Sequence, residues 1–446
     1  MKLKSYIVIT SLLLIVLVFG IITGGFIHEK VRRDHKINFY RALFLPKAGG
    51  AEWRAKQPNR KTVPSKPNLQ DEIKKLESLG YLSGSELSTG NQNVIFYNKE
   101  KAYNGLNLWV TGNALEAYLM DMDGKIVHTW NLNLSEVWPT FENKMIDIVD
   151  KHLTYYFRRA HLFENGDLLV IIEGKGMVKI NKDSEVIWEA QNKAHHDFFI
   201  HDNNQIYVLT RTAHIVKEVR SDKPILEDSI SVLDEAGNEI KKVSLLKMFY
   251  NSDYASLLKS FQLEKNEQDI FHTNTIEMLD GTGSDKADWL RKGNLLISIW
   301  NLSMVCVVNF EEERVVWAQV GFWHKQHEPV LLDNGNILMF DNQGISKNNA
   351  RVIEYDPLTL AVKWNYAGTR ETPLDSGLLG ACARLKNGNT LISETEHGRV
   401  IEVTPDKKIV WEFINPNKIG DNDEFVAYIP ELIRLEPDFP TDWLEN

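Results

Sequence analysis

The sequence predicts an all-β chain folded as a six-bladed β-propeller behind an N-terminal transmembrane helix. Three observations predict it: a hairpin phrase that recurs beyond Asn93, a tryptophan that closes most of the repeats, and an uncharged apolar run near the start. The clearest copy of the phrase is Gln326–Phe340, where two apolar runs flank Asn334-Gly335. A two-residue Asn-Gly loop between such runs is a hairpin signal, with both turn positions expected at positive φ.

Composition narrows the function classes. With 446 residues, 43% hydrophobic and 25% charged, the chain has ample material for a large core and is not of disordered composition. A formal net charge of -10 and a pI near 5.8 argue against a nucleic-acid partner, because phosphate binding needs clustered cations. Two cysteines, Cys306 and Cys382, are too few for a disulfide framework and leave room for one bridge at most.

In chain order, residues 1–27 come first. Tyr6–Ile27 is uncharged and nearly all apolar, long enough at about 1.5 Å per residue to cross a hydrocarbon core of about 30 Å. The run exceeds the apolar core of a cleaved secretory signal and no Ala-x-Ala-like site follows, so a retained anchor is expected. Lys30, Arg32, Arg33 and Lys36 outweigh Lys2 and Lys4, which by positive-inside counting puts the globular part in the cytoplasm. Residues 28–93 turn polar, are interrupted by Pro46, Pro58, Pro64 and Pro67, and read as a linker or stalk.

Residues 94–446 are repetitive. The hairpin phrase returns as Leu162–Val170, Ile200–Val208, Arg291–Ser298 and Leu385–Ser393. Six units follow, at 94–132, 157–190, 195–248, 270–320, 326–368 and 379–415, with a C-terminal closing segment. Trp130, Trp188, Trp317, Trp364 and Trp411 end the fourth apolar run of five of them; the first unit lacks the Asn-Gly turn and the third lacks the tryptophan. Four short antiparallel runs with an aromatic at a fixed place are the pattern of propeller blades. The tryptophans are expected to fill the space between blades.

The first strand of each blade lines the central channel, so residues near its start gather at one mouth. His196 and His327 stand in one register relative to their turns, with His195 and Asp197 flanking the former. His272 is expected at the corresponding point of the fourth unit, with Asn274 on the same face two residues later. Arg158 and Gly380 hold the register in the second and sixth units. One strand histidine is usually structural, but three in one register would occupy enclosed polar positions with no structural need. Converging imidazoles leave three chemistries open: nucleophilic catalysis with a second ring moving a proton, a three-histidine zinc site, or a funnel that binds a ligand or protein without catalysis.

His195-His196-Asp197, Phe271-His272-Thr273-Asn274 and Gln326-His327-Glu328-Pro329, together with Asp121–Trp130 and Gly388–Ile392, resemble the bacterial arylsulfotransferase family over about residues 94–440. The resemblance implies a generally periplasmic six-bladed propeller that moves a sulfuryl group from a phenolic sulfate ester to a phenol through a sulfohistidine. No nucleotide donor, cofactor or metal is expected. It implies His327 as nucleophile, and His196 and His272 as groups that stabilise the sulfuryl oxygens or handle the phenol's proton, with Asn274 beside them; His195, Trp300 and Arg384 are expected as further substrate contacts from their own places in the sequence, not from the resemblance. The family's habit outweighs the flank count, so the propeller is expected on the periplasmic side of a single-pass anchor. One departure stands out. The family pattern carries an arginine after the serine of the fourth blade's second strand, where this chain reads Ser298-Ile299-Trp300. Arg158, Arg384 or Lys325 would have to supply that cation from a neighbouring blade, and Trp300 offers a stacking face for an aromatic substrate.

Overall fold

Short runs rich in Val, Ile, Leu and aromatic residues, cut by polar turns, form strands because branched and ring side chains fit a pleated, half-buried surface. The structure, a computed structural model, describes residues 90–139, 155–263, 268–344, 349–369, 373–420 and 422–445, with 69, 70, 73, 87 and 88. The expected anchor Tyr6–Ile27 lies outside these residues; among them, no helix is long and apolar enough to cross a membrane.

After β1 (Asn93–Tyr97), β2 (Asn107–Val110), β3 (Glu116–Met120) and β4 (Ile126–Asn131) belong to blade 1. Blade 2 holds β5 (Phe157–Leu162), β6 (Leu168–Ile172), β7 (Gly176–Ile180) and β8 (Val186–Ala190). Blade 3 holds β9 (Ala194–Ile200), β10 (Ile206–His214), β11 (Ile225–Leu233) and β12 (Glu239–Ser244). Blade 4 comprises β13 (Thr273–Met278), β14 (Leu295–Ile299), β15 (Met304–Asn309) and β16 (Arg314–Val320). Blade 5 comprises β17 (His327–Leu331), β18 (Ile337–Asp341), β19 (Arg351–Tyr355) and β20 (Val362–Tyr366). Blade 6 comprises β21 (Ala381–Arg384), β22 (Thr390–Glu394), β23 (Arg399–Val403) and β24 (Ile409–Ile414). A small ribbon, β25 (Lys418–Ile419) and β26 (Phe425–Val426), precedes β27 (Glu431–Arg434). Every pairing inside the blades is antiparallel.

Two features differ from the sequence expectation. β1 does not open the first blade: β27 pairs with β2 from Asn107↔Arg434 to Val110↔Glu431 and supplies the inner strand, so β1 instead covers the edge of β24 as a fifth strand of blade 6. The Asn-Gly loops are not two-residue turns with both φ positive. At Leu332 to Asn336 the Gly335 amide donates to the Leu332 carbonyl and the Leu332 amide to the Asn336 carbonyl, and of the central residues only Gly335 has positive φ, at 81°. A turn of this kind ending on a left-handed glycine keeps the strands twisted correctly with one special residue instead of two.

The tryptophans lie where expected. Trp130 Nε1 donates to the Gly166 carbonyl in the turn of blade 2, Trp364 Nε1 to the Pro405 carbonyl of blade 6, and Trp411 Nε1 to the Met122 carbonyl of blade 1. Each therefore fastens an outer strand to the next blade. The helical insertion after β12, α2 (Leu245–Tyr250) following the short α1 (Leu134–Val137), buries Leu245, Leu246, Met248 and Phe249 between blades 3 and 4. Cys306 and Cys382 are both free and buried. The stretch expected as a polar stalk touches the propeller: Ile73 packs on Ala213 and Leu226, and Leu87 bridges to Phe425.

Candidate active site

The register of the inner strands builds the site. In blades 1 to 6 the pair joining the inner strand to the start of the second is Arg434↔Asn107, Leu162↔Leu168, Ile200↔Ile206, Met278↔Leu295, Leu331↔Ile337 and Arg384↔Thr390. The fourth residue upstream of each is Pro430, Arg158, His196, Asn274, His327 and Gly380. Blades 2 to 5 carry a bulge at this level, which re-aims the chain so that neighbouring residues can both face the channel. His196 and Glu328 accordingly hold left-handed backbone, at φ 57° and 48°.

His272 falls two residues above this ring, at the level of Lys325, and Asn274 rather than His272 holds the register in blade 4. Blades 2, 3 and 5 carry the same bulge, so the difference lies in the connection: residues 279–294 part Met278 from Leu295 in blade 4, where residues 332–336 suffice in blade 5. His272 still reaches the group: its ring centre is 5.0 Å from that of His196 and 4.9 Å from that of Trp300. Its Nδ1 donates to Asp269 at 2.7 Å, a carboxylate aligned with any charge the ring acquires. Lys325 Nζ lies 3.8 Å over the Trp300 ring and 3.2 Å from Asn301 Oδ1, and desolvation lowers its pKa to about 8.

His327 is fully buried, and its protonation pattern follows from its neighbour. The Asn342 side-chain amide donates to the carbonyls of Ser376, at 2.7 Å, and Leu379, at 2.8 Å. Carbonyls only accept, so the Asn342 oxygen must face the ring, where it lies 2.7 Å from His327 Nδ1. Nδ1 therefore carries the hydrogen, and Nε2, which has no partner, carries the lone pair. Burial, reinforced by the charge of Arg158, lowers the pKa of this ring to about 3, which keeps it neutral. His196 is held well below the usual histidine range by burial and then by Arg158.

Behind the ring, Asn274 Nδ2 donates to the Gln326 carbonyl at 2.9 Å, and Gln326 Nε2 donates to Ser298 Oγ and the Met304 carbonyl. These bonds pin the start of β17 to blade 4. His195 backs His196, with the two Nδ1 atoms 2.9 Å apart, and sits 3.8 Å from Asp228. One level below the ring, Arg159 bridges Asp197, Glu328 and Glu431, each at 2.8 Å, and so joins blades 2, 3, 5 and 1 across the channel.

The structure thus gathers His327, His196, His272, Asn274 and Trp300 at one mouth, with His195 behind them. It leaves Arg384 away from them. Arg384 stands at the hairpin end of β21, where its guanidinium bonds Glu354 at 2.8 Å and the Gly388 carbonyl at 3.1 Å. A long cation beside an exposed turn takes the nearest carboxylate. Sequence reasoning missed Asn342 and Asp269, which stand outside the repeat register on either side of the histidines. Among the described residues no set of three or more His, Cys, Asp or Glu is grouped to hold a metal ion.

A family model described as arylsulfotransferase (ASST) matches residues 159–416. No curated protein matches the chain. Among solved structures, a protein of unknown function from Bacteroides caccae is similar at 12% identity, over 74% of this chain and 98% of that one, with a TM-score of 0.48. Virginiamycin B lyase from Staphylococcus aureus is similar at 11% identity, over 58% of this chain and 69% of that one, with a TM-score of 0.34.

Proposed function

Because the chain belongs to the arylsulfotransferase family, we propose that it moves a sulfuryl group from a phenolic sulfate ester to a phenol through a covalent intermediate on His327. The observation that carries this reading is the tautomer of His327: a neutral, buried ring with its hydrogen fixed on Nδ1 and an unpartnered lone pair on Nε2. That is the state a nitrogen nucleophile requires.

In the first half-reaction Nε2 attacks sulfur; the N–S bond forms as the S–O bond to the aryl group breaks. The departing oxygen keeps the bonding pair and takes a proton from His272, whose ring Asp269 holds through Nδ1. In the second half the neutral His272 removes the proton of the acceptor phenol, the phenolate attacks sulfur, and the N–S pair returns to Nε2. His196 stands beside His272 to meet the sulfuryl oxygens. Trp300, whose buried ring lies under Lys325 Nζ and beside His272, would border the aryl ring. This reading keeps Tyr6–Ile27 as an anchor and the propeller on the periplasmic side.

Incubation with 4-nitrophenyl sulfate and a phenol acceptor is expected to release 4-nitrophenol, and His327→Ala to reduce release to background. Undiminished turnover in that variant would remove His327 from the role of nucleophile.

A further inference from the structure

Arg158 is 3% exposed, yet it makes no ion pair among the described residues. Its one hydrogen bond is a 3.5 Å contact to the Pro430 carbonyl, and its Nε is buried without a partner. A buried guanidinium left without an acceptor is costly, because its hydration is lost and nothing replaces it. Two carboxylates, Glu173 and Glu431, feel its charge, but among the described residues neither forms an ion pair with it. Glu173 accepts the His196 amide on one oxygen and is acted on by Arg211 ahead of Arg158. The other cations of the mouth are already engaged: Lys325 with Trp300 and Asn301, Arg159 with three carboxylates. Arg158 also stands in the same register ring as His196 and His327, and after burial its charge helps to keep both rings neutral.

We propose that Arg158 is the guanidinium that holds the sulfuryl oxygens of the aryl sulfate beside His327, so that in this chain blade 2 supplies the oxyanion fork. The identity of the anion rests on the sulfuryl-transfer reading; the existence of an anion site at Arg158 does not. A planar fork suits a tetrahedral oxyanion because two parallel N–H groups meet two oxygens at once.

The test is calorimetric binding, at about pH 5.5, of 4-nitrophenyl sulfate to His327→Ala, a background in which transfer is blocked, with 4-nitrophenol, which keeps its proton at that pH, as the uncharged comparison. Adding Arg158→Met is expected to weaken the sulfate ester by about tenfold to a hundredfold and to leave 4-nitrophenol unchanged. Equal loss for both ligands would make Arg158 structural, and no loss for the ester, or no binding of the ester to His327→Ala at all, would equally overturn the proposal. If the methionine variant does not fold, Arg158→Lys keeps the charge without the fork and is expected to weaken only the ester by several-fold; unchanged affinity overturns the assignment. Selective loss of ester binding in these variants, together with no turnover of the ester by the parent protein, would reject the transfer reading while upholding the anion site.

Discussion

Asn342 sets the chemistry of His327 without belonging to the repeat. Two backbone carbonyls hold its amide so that only the oxygen can face the ring, and that orientation decides which imidazole nitrogen is basic. Asn342→Ala is expected to lower kcat about 10- to 100-fold while KM stays within about twofold, since the ring is then free to take the other tautomer. A change confined to KM would show that Asn342 serves substrate binding instead. At this scale the sequence was legible where residue type and register coincide, as at His196 and His327. It was silent on Asn342 and Asp269, because a partner that orients a ring need only reach it in space and can come from any loop. Arg384 illustrates the converse: a cation close in sequence to a conspicuous turn is drawn to Glu354 at that turn.

At the level of the elements, the bulged inner strands allow two successive residues to project toward the channel: in blades 2, 3 and 5 one enters the histidine ring and the next the ionic layer beneath, while in blade 4 Thr275 accepts the Glu328 amide. Glu277 of β13 borders that layer. Burial, offset by one hydrogen bond from the Leu331 amide and reinforced by Asp197 and Glu328, raises its pKa from 4.5 to about 8. A carboxyl raised in the folded state binds its proton there while the unfolded chain has already lost it, so its contribution to stability declines as pH rises through that interval. Glu277→Gln is therefore expected to gain on the parent protein between about pH 4.5 and 8, reaching at least about 1 kcal/mol by pH 8.5, with no difference at pH 4. Chemical denaturation at the two pH values decides it, and a constant difference would assign the effect to packing. Hairpins and closing tryptophans were readable because each is a local signal repeated at a fixed offset. The bulges were not, since an extra residue in a strand has no composition of its own, and the long 279–294 connection hid the offset of His272 from its turn, which is why His272 was placed at the level of His196 and His327.

Across the whole propeller, ring closure depends on residues distant in sequence. β27 completes blade 1, β1 extends blade 6, and Arg159 ties Glu431 to Asp197 and Glu328. A chain ended at Ile429 lacks the inner strand of blade 1 and is expected to lose at least about 10 °C in Tm, together with its single cooperative transition. Calorimetry of that truncation would show an unchanged transition if β27 were merely an ornament. The number of blades was legible from the count of tryptophans and turns, whereas the exchange of strands between the first and last blades was not, because two short apolar runs compete for one sheet edge and only the assembled ring ranks them. Glu431 has a further consequence during synthesis. On a ribosome the histidine-bearing strands of blades 3 to 5 emerge well before Glu431, so the carboxylate that completes the layer under them arrives late. Until then the rings of His196, His272 and His327 stand in an open arc, and the ionic layer beneath them is completed only when β27 closes blade 1.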